Sequence, residues 1–276
     1  MKLKATIPAL LTLASLLTAC SKVSEDDRLI YVEPVPVTKT VLVEEYSGQD
    51  CFNCPNGATI LEELQEQYGD NLAIITYHGG SYAYYPGQYD GILGLGTEYG
   101  EKMEKAYGID IFGKPSMIVN AGTPNNTVDT WARDIAAAFK TESDVALKGE
   151  AFYDEVSSSI QIWVTGTCNS VYDGDLQVIL TENGIVALQK MPDQSYNMEY
   201  VHNNIFRSTV NSEVGEPFKV SAADLEGVTK TYTVPVQAEW KPTNMRVVAF
   251  VSNEHGVQQA LTMPVKKLVE QPNDNN

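Results

Sequence analysis

Basic residues are scarce in this chain: 19 lysines and arginines face 36 aspartates and glutamates, for a formal charge of −17. A surface this acidic repels phosphate backbones and argues against nucleic acid as a partner. Histidine is rarer still. His78, His202 and His255 stand far apart, and with one close cysteine pair they make no ligand set of recognisable zinc spacing, so neither a metal nor another cofactor is expected. The longest apolar run, Ala5 to Leu17, is broken by Pro8, Thr12 and Ser15, which leaves it too short and too weakly flanked for a spanning helix. There is no internal repeat and no low-complexity run.

What that first run does offer is an export signal, with Lys2 and Lys4 as its charged head. It ends in Leu17-Thr18-Ala19-Cys20, which resembles a bacterial lipobox, so that Cys20 is expected to carry lipid and become the mature N-terminus. The alternative is an ordinary secretory signal with an incidental cysteine. Ser21, where Asp would retain a lipoprotein at the inner membrane, and the run Ser21–Asp27 resemble signals for the outer membrane, with its face left open. Loss of the two lysines takes the charge to −19 and leaves no polybasic support for the anchor. Residues 1–20 are thus read as signal and lipobox, 21–38 as an acidic tether and 270–276 as a polar tail. Disulfides persist after export. Cys51, Cys54 and Cys168 remain, an odd count that leaves one thiol free or paired between molecules; Cys168 falls in an expected turn, where it would be exposed.

The rest divides by period. Over residues 39–144 strand and helix alternate. Val41-Leu42-Val43 opens a strand ending near Tyr46, and Ala58, Leu61, Leu64 and Tyr68 mark one helix face, closed by Gly69. Leu72–Tyr77 is a second strand, 97–107 a helix and Ser116–Asn120 a strand. Val128, Trp131, Ile135 and Phe139 trace a last helix with Thr127 as its N-cap. This pattern predicts a three-layer α/β domain. Over 145–269 the helical period disappears, and seven short strands separated by turn signals such as Glu182-Asn183-Gly184 predict an antiparallel sandwich.

Cys51-Phe52-Asn53-Cys54 lies where the first strand gives way to the first helix. Thiol–disulfide exchange needs one cysteine held as thiolate and a second to resolve the mixed disulfide. A helix N-terminus stabilises a thiolate at Cys51, and Cys54 lies one turn further on. Asp50 opposes this, because a neighbouring carboxylate raises a thiol pKa. An active pair and a structural disulfide both remain open.

Downstream, Gly108-Ile109-Asp110-Ile111-Phe112-Gly113-Lys114-Pro115-Ser116-Met117-Ile118-Val119 resembles the cis-proline loop that thioredoxin-like domains set opposite their cysteines. By that resemblance Pro115 is cis and shapes a substrate groove, and Glu45 lies near the place of a buried proton-transferring acid. The chain further resembles a family of Bacteroidetes lipoproteins named after a twenty-eight-kilodalton outer-membrane protein. The match runs through Glu45–Pro55, Tyr77-His78-Gly79-Gly80 and Tyr200–Arg207. The resemblance implies an outer-membrane location and an α/β thioredoxin-like domain followed by an all-β immunoglobulin-like sandwich.

Other candidates are His78, at the carboxyl end of the second strand, as a tuner of the cysteines or a backbone-bonded loop residue, and Tyr82, Tyr84 and Tyr85, in a glycine-rich loop, as a contact surface or as packed rings. His202 and Arg207 read as a structural polar cluster. Three functions stay open: an anchored thiol–disulfide oxidoreductase acting on envelope proteins or peptides through Cys51, Cys54 and Pro115; a binding or adhesion lipoprotein; and a structural envelope component.

Overall fold

The computed structural model describes residues Thr38–Leu268, which lie within one compact unit. The signal, lipobox and most of the tether fall outside the described residues.

The chain begins with β1 (Val41–Ser47), α1 (Cys54–Tyr68), β2 (Leu72–His78), α2 (Glu98–Ala106), the short α3 (Ile109–Phe112), β3 (Ser116–Val119) and α4 (Trp131–Ala138). β1 lies between β2, parallel in the register Val41↔Leu72 to Ser47↔His78, and antiparallel β3. All seven β1 residues are buried, including Glu44 and Glu45. Successive strand residues face opposite sides, so these two carboxyls lie under different layers. On one side, Leu61 and Leu64 of α1 and Trp131 and Ile135 of α4 pack on Val41, Val43 and Ile74. Gly57 lets α1 come this close, since a Cβ there would stand 2.8 Å from the Trp131 ring. Helix α2 is capped by Thr97, whose side chain accepts from the Gly100 amide. Thr127 caps no helix with its side chain; a 3-10 turn, Val128–Thr130, intervenes before α4.

Ten strands follow: β4 (Val145–Asp154), β5 (Ser159–Cys168), β6 (Val171–Glu182), β7 (Ile185–Lys190), β8 (Tyr196–His202), β9 (Ile205–Thr209), β10 (Glu216–Ser221), β11 (Val228–Pro235), β12 (Met245–Asn253) and β13 (Gly256–Lys267). The sequence predicted seven strands over this half, and the structure has ten. β11 ends at Pro235, which stands opposite Ser159 and has no amide to donate.

The expected pairing of a thioredoxin-like α/β domain with a separate immunoglobulin-like sandwich is not what forms. The strands join one mixed eleven-stranded sheet in the order β11-β5-β4-β13-β12-β6-β9-β2-β1-β3, with β10 beside β6. The join is β9, parallel to β2 at Thr76↔Ile205 and antiparallel to β6. An open strand edge is an unpaired row of amides and carbonyls, and β9 fills the one that β2 presents. The core follows suit: Leu42, Tyr77 and Ile118 pack in one cluster with Ile179, Phe206 and Val248. A second cluster, around Ile162, Leu180, Phe218 and Val247, fills the β-rich part. β7 and β8 stand apart as a two-stranded hairpin. Among the described residues no helix is long and apolar enough to cross a membrane.

Candidate functional site: a disulfide corner under a hairpin

Cys51 and Cys54 form a disulfide, and Cys54 is the first residue of α1. The turn before it is closed by backbone bonds from Cys51 N to Gly48 O (3.1 Å) and from Cys54 N to Cys51 O (3.3 Å). Both sulfur-bearing residues are buried, Cys51 at 4% exposure and Cys54 at 1%, while Phe52 between them is exposed.

The β7–β8 hairpin supplies that burial. Gln189 of β7 is itself buried, and its Nε2 donates to the carbonyls of Cys51 (3.0 Å), Gly48 (3.3 Å) and Lys190 (3.0 Å). Gln49 ties the other side: its Nε2 donates to Leu93 O and Leu188 O, its Oε1 accepts from Leu95 N, and its carbonyl accepts from Lys190 N. Asp50 is not an unopposed negative charge. Tyr196 of β8 donates its hydroxyl to Asp50 Oδ1 at 2.8 Å, and Lys190 Nζ lies 3.7 Å from the same oxygen.

Behind the disulfide, Cys54, Glu45, His78, Gln189 and His202 line a cavity of about 20 Å³. Thr76 donates to Glu45 Oε2 at 2.8 Å, while Glu45 Oε1 is buried with no hydrogen-bond partner. Burial raises the Glu45 carboxyl to about 7, against the opposing Thr76 bond, with the charge of Glu62 adding to the rise. Glu44, on the other face, is likewise raised to about 7 by burial, its Oε1 accepting from Tyr77. His78 ends β2, fully enclosed, with its ring in edge contact with His202 at 5.6 Å between centroids. Burial holds His78 well below the ordinary histidine range and His202 at about 4, so both rings are neutral.

The Lys114–Pro115 peptide bond is cis. Lys114 is anchored below the surface by Glu104 of α2 at 2.8 Å and by the Gly79 carbonyl. Each tyrosine of the loop has its own contacts. Tyr85 is held by Glu101 Oε2 (2.8 Å) and the Gly80 amide, Tyr84 packs edge-on against Tyr89, and Tyr82 is exposed while its carbonyl accepts from Asp50 N. Beside the start of α1 runs a groove of about 540 Å³ lined by Asn53, Asn56, Ile60, Glu63, Asn126 and Asp129, among others. Cys168 ends β5 as a buried free thiol rather than an exposed turn residue. Arg207 pairs with buried Glu182 at 2.8 Å.

Sequence reasoning missed Gln49, Gln189 and Lys190, and it placed His202 outside the cysteine site. The Tyr200–Asn204 stretch carried the available signal. Asn203 Nδ2 donates to Glu62 Oε1 and Asn204 Nδ2 to Gln65 Oε1, both on α1, and Asn204 adopts the left-handed conformation that asparagine tolerates. These bonds dock the end of the hairpin onto the helix that carries Cys54.

The profile of a family described as Outer membrane protein Omp28 matches residues 101–270, more than half of the chain. The chain belongs to the Omp28 family. That match begins in α2, so the cysteine corner lies outside it. The family name indicates an outer membrane protein. No curated protein matches the chain in sequence. Among solved structures, HBP35 of Porphyromonas gingivalis is similar at 14% identity and a TM-score of 0.62, over 86% of this chain and 81% of that one. A structural-genomics protein of Agrobacterium tumefaciens is similar at 16% identity and a TM-score of 0.53, over 86% of this chain and 99% of that one. At these identities the likeness concerns fold alone.

Proposed function

We propose that this Omp28-family protein carries out thiol–disulfide exchange on envelope polypeptides through Cys51 and Cys54. The observation that carries the reading is that Glu45, a buried carboxyl able to gain or lose a proton near neutral pH, lines the same small cavity as Cys54. A substrate thiolate attacks Cys51 Sγ, a new S–S bond forms to the substrate, and the Cys51–Cys54 bond breaks with its electron pair on Cys54. Protonated Glu45 supplies the proton that turns the Cys54 thiolate into a thiol. A second substrate thiolate then attacks the substrate sulfur of the mixed disulfide, and Cys51 leaves as a thiolate on the N-terminal end of α1. The substrate dithiol is oxidised and the protein disulfide reduced; the reverse sequence runs the other way. The bonds from Tyr196 and Lys190 offset Asp50, the residue that opposed a thiolate in the sequence. Access requires the β7–β8 hairpin to move off Cys51, and the amide- and acid-lined groove beside Asn53 is the place for an extended segment of substrate.

The location follows the same reading: lipid on Cys20 anchors the mature chain in the outer membrane. Cys20→Ser should release it to the soluble fraction and abolish labelling by a fatty-acid precursor.

A second reading has its own observation. Both cysteines are nine-tenths buried or more, as a structural staple would be, and Tyr82 and Tyr89 are left exposed as a contact surface for a binding lipoprotein. The reduction potential of the pair separates the two readings. A value below about −300 mV, with no thiol reactive near neutral pH after reduction, would sink the exchange reading.

A further inference from the structure

Three residues that line the cavity behind Cys54 each carry a buried polar atom with no hydrogen-bond partner: Glu45 Oε1, His78 Nδ1 and His202 Nε2. Leaving such atoms dry costs about 1–3 kcal/mol each. Its volume of about 20 Å³ is enough for one water molecule, which needs roughly 10–15 Å³ and two to four polar partners. His202 differs from His78 in having a defined tautomer. The backbone of Leu188 and Ala187 favours a proton on the ring, and since Nε2 has no partner that proton belongs on Nδ1, which leaves Nε2 a bare acceptor. We propose that the cavity holds one water shared by Glu45 Oε1 and His202 Nε2, which makes His202 the residue that keeps Glu45 able to exchange its proton beside Cys54.

His202 is thus a positioning residue, acting through Glu45. The water donates one hydrogen to His202 and offers its other hydrogen, or a lone pair, to the carboxyl. It therefore serves both the ionised and the protonated form. Without it Glu45 would keep Thr76 as its one hydrogen-bonding partner, and its ionised form would be harder to reach. The other groups facing Glu45 do not substitute. Glu62 of α1 opposes its ionisation, Tyr200 of β8 is pushed up to about 12 and stays neutral, and His78 of β2 is neutral. Because His202 ends β8, lifting the hairpin would also remove Glu45's proton partner, coupling access to proton transfer. The inference rests on the exchange reading for its chemical consequence and not for the water itself.

The test uses the oxidised mature protein and does not need exchange activity. A high-resolution crystal structure should show an ordered water within about 3.2 Å of both Glu45 Oε1 and His202 Nε2. A dry cavity, or a water that does not touch His202, overturns the proposal. Carbon-13 NMR titration of Glu45 should show its midpoint rising by about one pH unit or more in His202→Phe, while His202→Gln, which restores a polar atom, stays within about 0.3 of wild type. Equal midpoints in all three proteins overturn it as well. If the water and the titration behave as expected but the wild-type disulfide resists every thiol, the exchange reading fails and the role of His202 toward Glu45 stands.

Discussion

Gln189 reaches from the β7–β8 hairpin to the carbonyl of Cys51, its Nε2 donating at 3.0 Å from a site 138 residues away in the chain. This contact turns a cysteine pair at a loop edge into a covered one. It also makes the cover testable, because the same amide serves the carbonyls of Gly48 and Lys190. Gln189→Ala removes these bonds while the Gly48 and Cys51 carbonyls keep their turn amides, at a cost of about 1 kcal/mol. The disulfide should then be reduced by dithiothreitol roughly three- to tenfold faster, measured under native conditions alongside urea unfolding. An unchanged reduction rate with lowered stability would show that the hairpin does not gate the sulfurs.

Glu45 makes stability depend on pH in a definite direction. Its folded pKa, about 7, lies above the ordinary carboxyl value of 4.5, so between those values the unfolded chain has lost a proton that the folded chain keeps. Stability from this group is full below about pH 4.5 and is lost as pH rises through 7. Glu45→Gln removes the loss. Its advantage over wild type in urea unfolding should grow from pH 5 to pH 8 by up to about 3 kcal/mol. Glu44, raised for the same reason, adds a parallel loss that the variant leaves in place.

Gly57 stands against the Trp131 ring. In an exposed helix Gly→Ala stabilises by roughly 0.5–1 kcal/mol. Here the added Cβ meets a fully buried indole, and Gly57→Ala should destabilise by about 1–3 kcal/mol. Thermal unfolding followed by tryptophan fluorescence reads both the loss and the displacement of the ring.

Lys114 and Glu104 are paired at 2.8 Å with both side chains at 5% exposure or less. Removing one partner strands a buried charge, so Lys114→Met or Glu104→Leu alone should cost about 3–5 kcal/mol. The double variant should recover most of that cost. A double-mutant cycle in urea measures the coupling, and additive losses would contradict it.

Cys168 is enclosed at the end of β5. It should react with a maleimide only as fast as the protein unfolds, with labelling half-times tracking denaturant.

How much was legible can be judged residue by residue. Leu61, Leu64, Trp131 and Ile135 announced their helices by spacing, and each is buried where that spacing put it. Val41–Val43 announced a strand. The strand runs on through Glu44 and Glu45; the thioredoxin-like resemblance put Glu45 near the place of a buried acid, but nothing marked Glu44, because acidic residues in a sequence look the same whether or not both faces of their strand are covered. β8 was illegible for the opposite reason: most of Tyr196–His202 is exposed, so it lacks the alternation that marks a half-buried strand.

The sequence by itself determined the acidic charge, the closeness of Cys51 to Cys54, their place at the start of a helix, and the membership in the Omp28 family that residues 101–270 carry. Only the tertiary structure decided that β9 would fill the edge of β2 and make one sheet of two expected domains, and that Gln189 and His202 would close over the disulfide. Side-chain period encodes which face of an element is buried. Edge pairing uses backbone amides and carbonyls that nearly every residue has, so its partner is chosen by the packing of the whole chain.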